Sequence, residues 1–206
     1  MMQRTAVLFV ALMMLVLSSA VAHADGTLLG RVDMPRGGHA GLTSAWLDAS
    51  GWELWSFSQP DFPVYEAGRL WPVKAGKSDT LLLGGYVSWW DKSSQLFAEP
   101  FWVYNHELGS DWKFESAGGA YIPLNNGPWV LYTNQVAVSH PVRHNVRVGV
   151  AVSNCWQEGT GNTLGVGPKV EISGPGGSSL SLRYLWGVNN KTTDTARIEG
   201  SLKINF

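Results

Sequence analysis

The chain has 206 residues, with 15 Lys+Arg against 16 Asp+Glu and a formal net charge of −1. Charged residues make up 15%, against ~25% in ordinary soluble domains, while Gly reaches 24 and Trp 11. That balance, with no basic run, offers nucleic acid no electrostatic footprint, and a single cysteine, Cys155, excludes an internal disulfide.

Residues 1–24 hold one basic residue, Arg4, an apolar run from Ala6 to Leu17 and a small-residue stretch ending in Ala22-His23-Ala24. This is the pattern of a secretory signal peptide with an A-x-A cleavage site. The run is short for a ~30 Å hydrocarbon core, and no cysteine near the site supports a lipoprotein route. Beyond Ala24 no stretch approaches about 18 apolar residues, so helical membrane spans are not expected. Residues 25–206 are expected to form a single domain. Without Arg4 it carries fourteen basic residues against 16 acidic ones.

The first segments after the leader, TLLGRVD (27–33), GLTSAWLD, GWELWSFS and VYEAGRLWPVK, read as strands of loose alternation. TLLLGGYVSWW (80–90) and QLFAEPFWVYN (95–105) form a hairpin around Asp91-Lys92-Ser93-Ser94, with Pro72 and Pro100 weakening individual strands. DWKFESAGGAYIPL (111–124) sets Trp112, Phe114, Ala120 and Ile122 opposite Lys113 and Glu115. Asn125-Asn126-Gly127-Pro128 then turns the chain into PWVLYTNQVAVS.

The last four segments alternate most regularly. Val146, Val148, Val150 and Val152 share a face opposite Asn145, Arg147, Gly149, Ala151 and Ser153. Leu164, Val166, Pro168, Val170 and Ile172 alternate with Gly165, Gly167, Lys169 and Glu171; Leu180, Leu182, Tyr184, Trp186 and Val188 alternate with Ser181, Arg183, Gly187 and Asn189. A period of two throws successive side chains to opposite faces of a strand. The segments recur about every 15 residues, which fits 10–12 strands, or eight if roughly the first fifty residues after the leader form a plug or surface segment.

The chain ends ARIEGSLKINF, with Ala196, Ile198, Gly200, Leu202, Ile204 and Phe206 on one face and Arg197, Glu199, Ser201, Lys203 and Asn205 on the other. This ending resembles the terminal strand of bacterial outer-membrane β-barrel proteins, in which the closing aromatic residue, here Phe206, is an assembly signal. The resemblance implies an all-β fold, a closed antiparallel up-and-down transmembrane barrel with both termini periplasmic. It implies location in the outer membrane of a Gram-negative bacterium, contact with outer-membrane lipid and assembly by the barrel-assembly machinery through the last strand. Turns 139–144 and 173–177 then lie on the periplasmic side. The outer loops are all short, which favours a monomer over a trimeric general porin or a large receptor.

Alternation alone also fits a soluble barrel with an apolar interior. Two features favour the membrane form. Charges of both signs populate the polar rows: Arg147, Lys169, Glu171, Arg183, Arg197, Glu199 and Lys203. Aromatics gather near strand ends, at Trp89, Trp90, Trp102, Tyr104, Trp112, Trp129, Trp156, Trp186 and Phe206, as in interfacial girdles. The charged rows face a lumen narrower than that of 16–18-stranded porins. There they either pair to stiffen the barrel or select a small solute.

Catalytic signals are weak. Ser139-His140 and His144 fall at an expected turn, His106-Glu107 at another, and His39 in a Gly-rich loop. No G-x-S-x-G or H-E-x-x-H is present, and His140 with His144 is a poor metal signal by itself. Glycines 161, 165 and 167 lead into a strand rather than a helix, so they are no nucleotide fingerprint. No metal and no cofactor are expected. The favoured expectation is a small non-enzymatic outer-membrane barrel, a narrow pore or an envelope structural protein. An outer-membrane lipid-modifying enzyme using Ser139, His140 or His144, and a secreted soluble barrel holding an apolar ligand, are the alternatives.

Overall fold

The computed structural model describes residues 26–48, 50–59, 62–76, 78–109, 111–189 and 194–204. The expectations for the leader, for Phe206 and for the side chain of Lys203 lie outside the described residues. Twelve strands follow one another: β1 (Gly26–Pro35), β2 (Gly41–Asp48), β3 (Trp52–Gln59), β4 (Phe62–Ala75), β5 (Asp79–Trp90), β6 (Gln95–Leu108), β7 (Trp112–Pro123), β8 (Val130–Arg143), β9 (Val146–Gln157), β10 (Gly161–Ser173), β11 (Ser179–Gly187) and β12 (Thr195–Ile204). Each pairs antiparallel with its chain neighbours, and β12 returns to β1 in continuous register from Gly26↔Ile204 to Pro35↔Thr195. The sheet is a closed up-and-down barrel.

The strand number corrects the expectation of 10–12 with eight allowed: the barrel has twelve, not eight. The stretch that an eight-stranded barrel would release as a plug supplies β1 to β4, each laddered on both sides. Its loose hydrophobic alternation did not prevent pairing, because the ladder is made by backbone groups. With strands about 4.8 Å apart and tilted roughly 40°, twelve of them give a backbone diameter of about 24 Å.

Register sorts the side chains into two faces. Val148, Val170, Leu182, Ile198, Val32 and Leu42 stand opposite one another on consecutive strands and form an apolar belt. Val148, Leu182 and Ile198 in that belt are exposed, which makes this the outer face. One residue along, Gly149, Lys169, Arg183, Arg197 and Asp33 form the neighbouring belt on the inner face, where Lys169 and Arg183 are buried. Trp52, Trp71, Trp89, Trp112, Trp129, Trp156 and Trp186 are all exposed. Trp90 departs from the expected girdle: its ring turns inward against Phe97 (centroids 4.6 Å apart) and Tyr121 (5.4 Å).

Two local features shape the wall. In the β2–β3 turn Asp48 Oδ1 accepts from the backbone N–H of Ser50 and of Trp52, both at 2.8 Å, while Gly51 takes φ of 91°. Glycine is the residue that adopts that conformation without a Cβ clash. Gly167, on the inner face, lets β11 come close: a Cβ there would lie 1.8 Å from the Tyr184 carbonyl oxygen.

Candidate functional site: two unlike walls around one lumen

The inner face of β9–β12 and β1 is cationic. Lys169 on β10 stands directly opposite Arg183 on β11, and Arg183 directly opposite Arg197 on β12, with Asp33 of β1 next in line. Three cations in adjacent strand positions repel one another, an arrangement that destabilises a sheet unless something answers it. Part of the answer is local. Arg197 Nε is paired with Asp33, Arg31 Nε lies 3.0 Å from the same carboxylate, and Arg183 Nη2 lies 3.7 Å from Glu199. Lys169 Nζ is paired with Glu115 of β7 and lies 3.1 Å from Glu171.

The pairing is incomplete. Arg183 Nε, Arg197 Nη1 and Ser181 Oγ are buried with no hydrogen-bond partner, and Arg183 Nη1 reaches only the Asn134 backbone oxygen, at 3.2 Å. Arg147 spends its donors on neutral oxygens: Nη2 on the backbone oxygens of Asp111 at 2.7 Å and Ser139 at 3.2 Å, and Nε on Ser139 Oγ at 3.3 Å. Among the described residues of β9–β12 and β1, five cations (Arg31, Arg147, Lys169, Arg183, Arg197) thus share the inner face with three carboxylates (Asp33, Glu171, Glu199), and Glu115 reaches in from β7 with Lys113 beside it.

The inner face of β3–β8 is built from other chemistry. Glu53, Glu66 and Glu99, all buried, each accept a hydrogen bond from a tyrosine: Tyr86 to Glu53, Tyr121 to Glu66 and Tyr132 to Glu99. Trp55 Nε1 adds a donor to Glu53 and Ser88 Oγ one to Glu99, both at 2.9 Å. Among the described residues no Lys or Arg pairs with these three carboxyl groups. Rings of Phe97, Phe101, Trp90, Tyr121 and Tyr132 pack around them. In a closed ring of twelve, β4–β6 sit six places from β10–β12. The carboxyl–phenol wall and the cation row therefore face each other across the lumen.

The weak catalytic candidates are not brought together. Ser139 and His140 lie inside β8 rather than at a turn, because the strand runs on to Arg143. As consecutive strand residues they point to opposite faces. Ser139 is buried inside beside Arg147 Nε at 3.3 Å, while His140 packs outside on Trp112, centroids 5.0 Å apart. His144 is an exposed turn residue. His106, expected at a turn, also lies in a strand, and its Nδ1 is paired with Asp79. Among the described residues no three His, Cys, Asp or Glu side chains gather as a metal site.

Sequence reasoning missed Glu53, Glu66 and Glu99 altogether, and also Arg31, Asp33, Lys113 and Glu115 as partners of the cation row. A usable signal was present: each of the three glutamates sits between outward-facing apolar neighbours, Trp52 and Leu54, Tyr65 and Ala67, Ala98 and Pro100.

No family model matches the sequence, and no curated protein matches it. Solved structures do resemble the fold. A KdgM porin superposes with a TM-score of 0.62 at 11% identity, over 87% of this chain and 99% of that one. A KdgM porin in complex with disordered oligogalacturonate gives 0.61 at 12%, again over 87% and 99%. The NanC porin gives 0.57 at 11%, over 87% of this chain and 100% of the other. The likeness is one of fold. The chain is a closed antiparallel β-barrel whose fold resembles that of bacterial outer-membrane porin-like barrels at the level of the class.

Proposed function

We propose that the protein is a narrow, non-enzymatic pore for small anionic solutes in the outer membrane of a Gram-negative bacterium. The single observation that carries this reading is the Lys169–Arg183–Arg197 row with its unanswered donors. A buried donor left unpaired costs about 1–3 kcal/mol, so a wall meant only for stiffness gains from carboxylates at these places. Those donor atoms are themselves closed to solvent, so what a solute carboxylate or phosphate meets is the uncompensated positive field of the row rather than direct bonds to them. The neutral donors on the far wall satisfy Glu53, Glu66 and Glu99 without offering an anion a second cationic site. A passing anion is thereby drawn to one side of the lumen.

Arg147, Glu171, Glu199 and Lys203 complete the charged lining in this reading. The leader is cleaved after Ala24, residues 25–206 are the single barrel domain, and Phe206 directs assembly of a monomer by the barrel-assembly machinery. One similar porin was solved with an oligogalacturonate, and an acidic sugar belongs to the solute class favoured here.

Planar-bilayer recording in a KCl gradient tests the proposal. The expected reversal potential is that of an anion-selective pore, and Arg183→Gln with Arg197→Gln moves the permeability ratio toward unity. A folded barrel that inserts without conductance, or conducts cations preferentially, overturns it; the first result leaves a structural envelope role.

A further inference from the structure

Arg69 is a charged side chain on the outer wall. Its register partners are Trp52 on β3 and Gly85 on β5, and it shares the outward row of β4 with Tyr65, Ala67 and Trp71. Its Cζ lies 5.8 Å from the ring of Trp52 and 5.9 Å from that of Trp71. Its Nε donates to the Ser50 backbone oxygen at 3.2 Å, in the β2–β3 turn. The stem lies along the apolar wall and the head is drawn to the rim, as a snorkelling arginine does at a membrane interface. Among the described residues no carboxylate pairs with it.

A groove of about 360 Å³ opens beside this cation on the same wall. Trp52, which carries the arginine, also lines the groove, and Ala67, Gly85, Val87, Ala98 and Pro100 continue it. Gly85 leaves it open: a Cβ there would find its nearest neighbour only at 3.9 Å, on Trp71. A second groove of about 400 Å³ shares Pro100 and runs on past Leu83, Ala120 and Leu131. From β4 to β7 is three strand spacings, about 14 Å. One acyl chain reaches across half of a ~30 Å core, about 15 Å.

We propose that Arg69 and this groove hold one phospholipid at the periplasmic rim, its phosphodiester on the guanidinium and one acyl chain along the groove. The planar guanidinium fork matches a phosphate, and Trp52 and Trp71 are the ring type that settles at headgroup level. A cation at the mouth of an apolar trough asks for an anion joined to a hydrocarbon chain, in that order. The inference rests on the membrane reading of the outer wall and not on the pore reading.

Native mass spectrometry of the barrel, extracted in mild detergent from phosphatidylglycerol vesicles, tests it. The expected result is one retained phospholipid, with retention falling several-fold in Arg69→Gln and in Gly85→Leu and unchanged in Val150→Leu, elsewhere on the outer wall. Equal retention in all four proteins overturns the proposal. So does a dimer that Gly85→Leu abolishes, since a second copy is then the occupant. Conductance of Arg69→Gln stays at the wild-type value, so the lipid site and the pore fail separately.

Discussion

Tyr121 on β7 donates its phenolic hydrogen to Glu66 Oε1 on β4 at 2.6 Å, a bond that spans three strand intervals inside the barrel. It ties parts of the wall that no backbone ladder joins. The same ring contacts Trp90, Phe97 and Tyr132.

Tyr121→Phe keeps those ring contacts and removes one donor from a buried carboxyl group. The expected loss is about 1–3 kcal/mol of unfolding free energy, read from denaturant unfolding of the barrel in lipid vesicles. An unchanged midpoint would show that this bond adds nothing to the fold.

Val150 stands on the outer row of β9, 55% exposed. A wall in contact with hydrocarbon penalises a charge there, so Val150→Arg is expected to cost about 2–4 kcal/mol in a bilayer. Equal stability of the two proteins in vesicles would argue that this face does not meet lipid.

At Gly167 any Cβ collides with the Tyr184 carbonyl, whereas at Gly200 the nearest atom, Ser179 O, is 3.8 Å away. Gly167→Ala therefore has to part β10 from β11, and a loss of at least about 1–3 kcal/mol is expected. Gly200→Ala is expected to behave as wild type. The temperature at which the compact band disappears in a heat-modifiability gel compares them; identical temperatures would refute the close approach.

Asp194, in the loop before β12, accepts from the Gly187 backbone N–H at 3.0 Å and from Tyr184 OH at 3.2 Å, with Arg36 at 3.6 Å. The Gly187 bond first, then Tyr184 and Arg36, hold its carboxyl below the usual carboxylate range. A depressed folded value means that the tether is fully present above the ordinary value near pH ~3.9 and is lost as pH falls through the folded value. Amide exchange at Gly187 is expected to accelerate as pH drops below about 4, beyond the intrinsic trend. Asp194→Asn should remove that pH step, and a step that persists in it belongs to another group.

Legibility in the sequence followed the polarity of the lumen. β9 to β12 were readable because most of their inner positions are Gly, Ser, Lys, Arg or Glu, with Ala151 and Leu185 among the exceptions, against outer rows rich in Val, Leu and Ile. On β3 to β6 the inner positions carry Trp55, Phe57, Trp90, Phe97 and Phe101, so apolar residues occupy both faces and alternation fades. The same blurring hid Glu53, Glu66 and Glu99, which sit in the aromatic half of the interior. Pro100 reads as a strand breaker, yet it lies on the outer row of β6 within an unbroken pairing to β5. The expected turn at 139–144 was misplaced for a plainer reason: β8 extends to Arg143, and strand geometry then separates Ser139 from its neighbour His140.

Arg197 meets Asp33 across 164 residues of chain, at the ladder where the last strand joins the first. Eleven strands without that ladder would be a sheet with two raw borders, β1 and β11, each presenting backbone groups that hydrocarbon cannot solvate. Partial completion is thus no milder version of the finished molecule. Closure of the wall and burial of those backbone groups therefore hang on the same β1–β12 ladder.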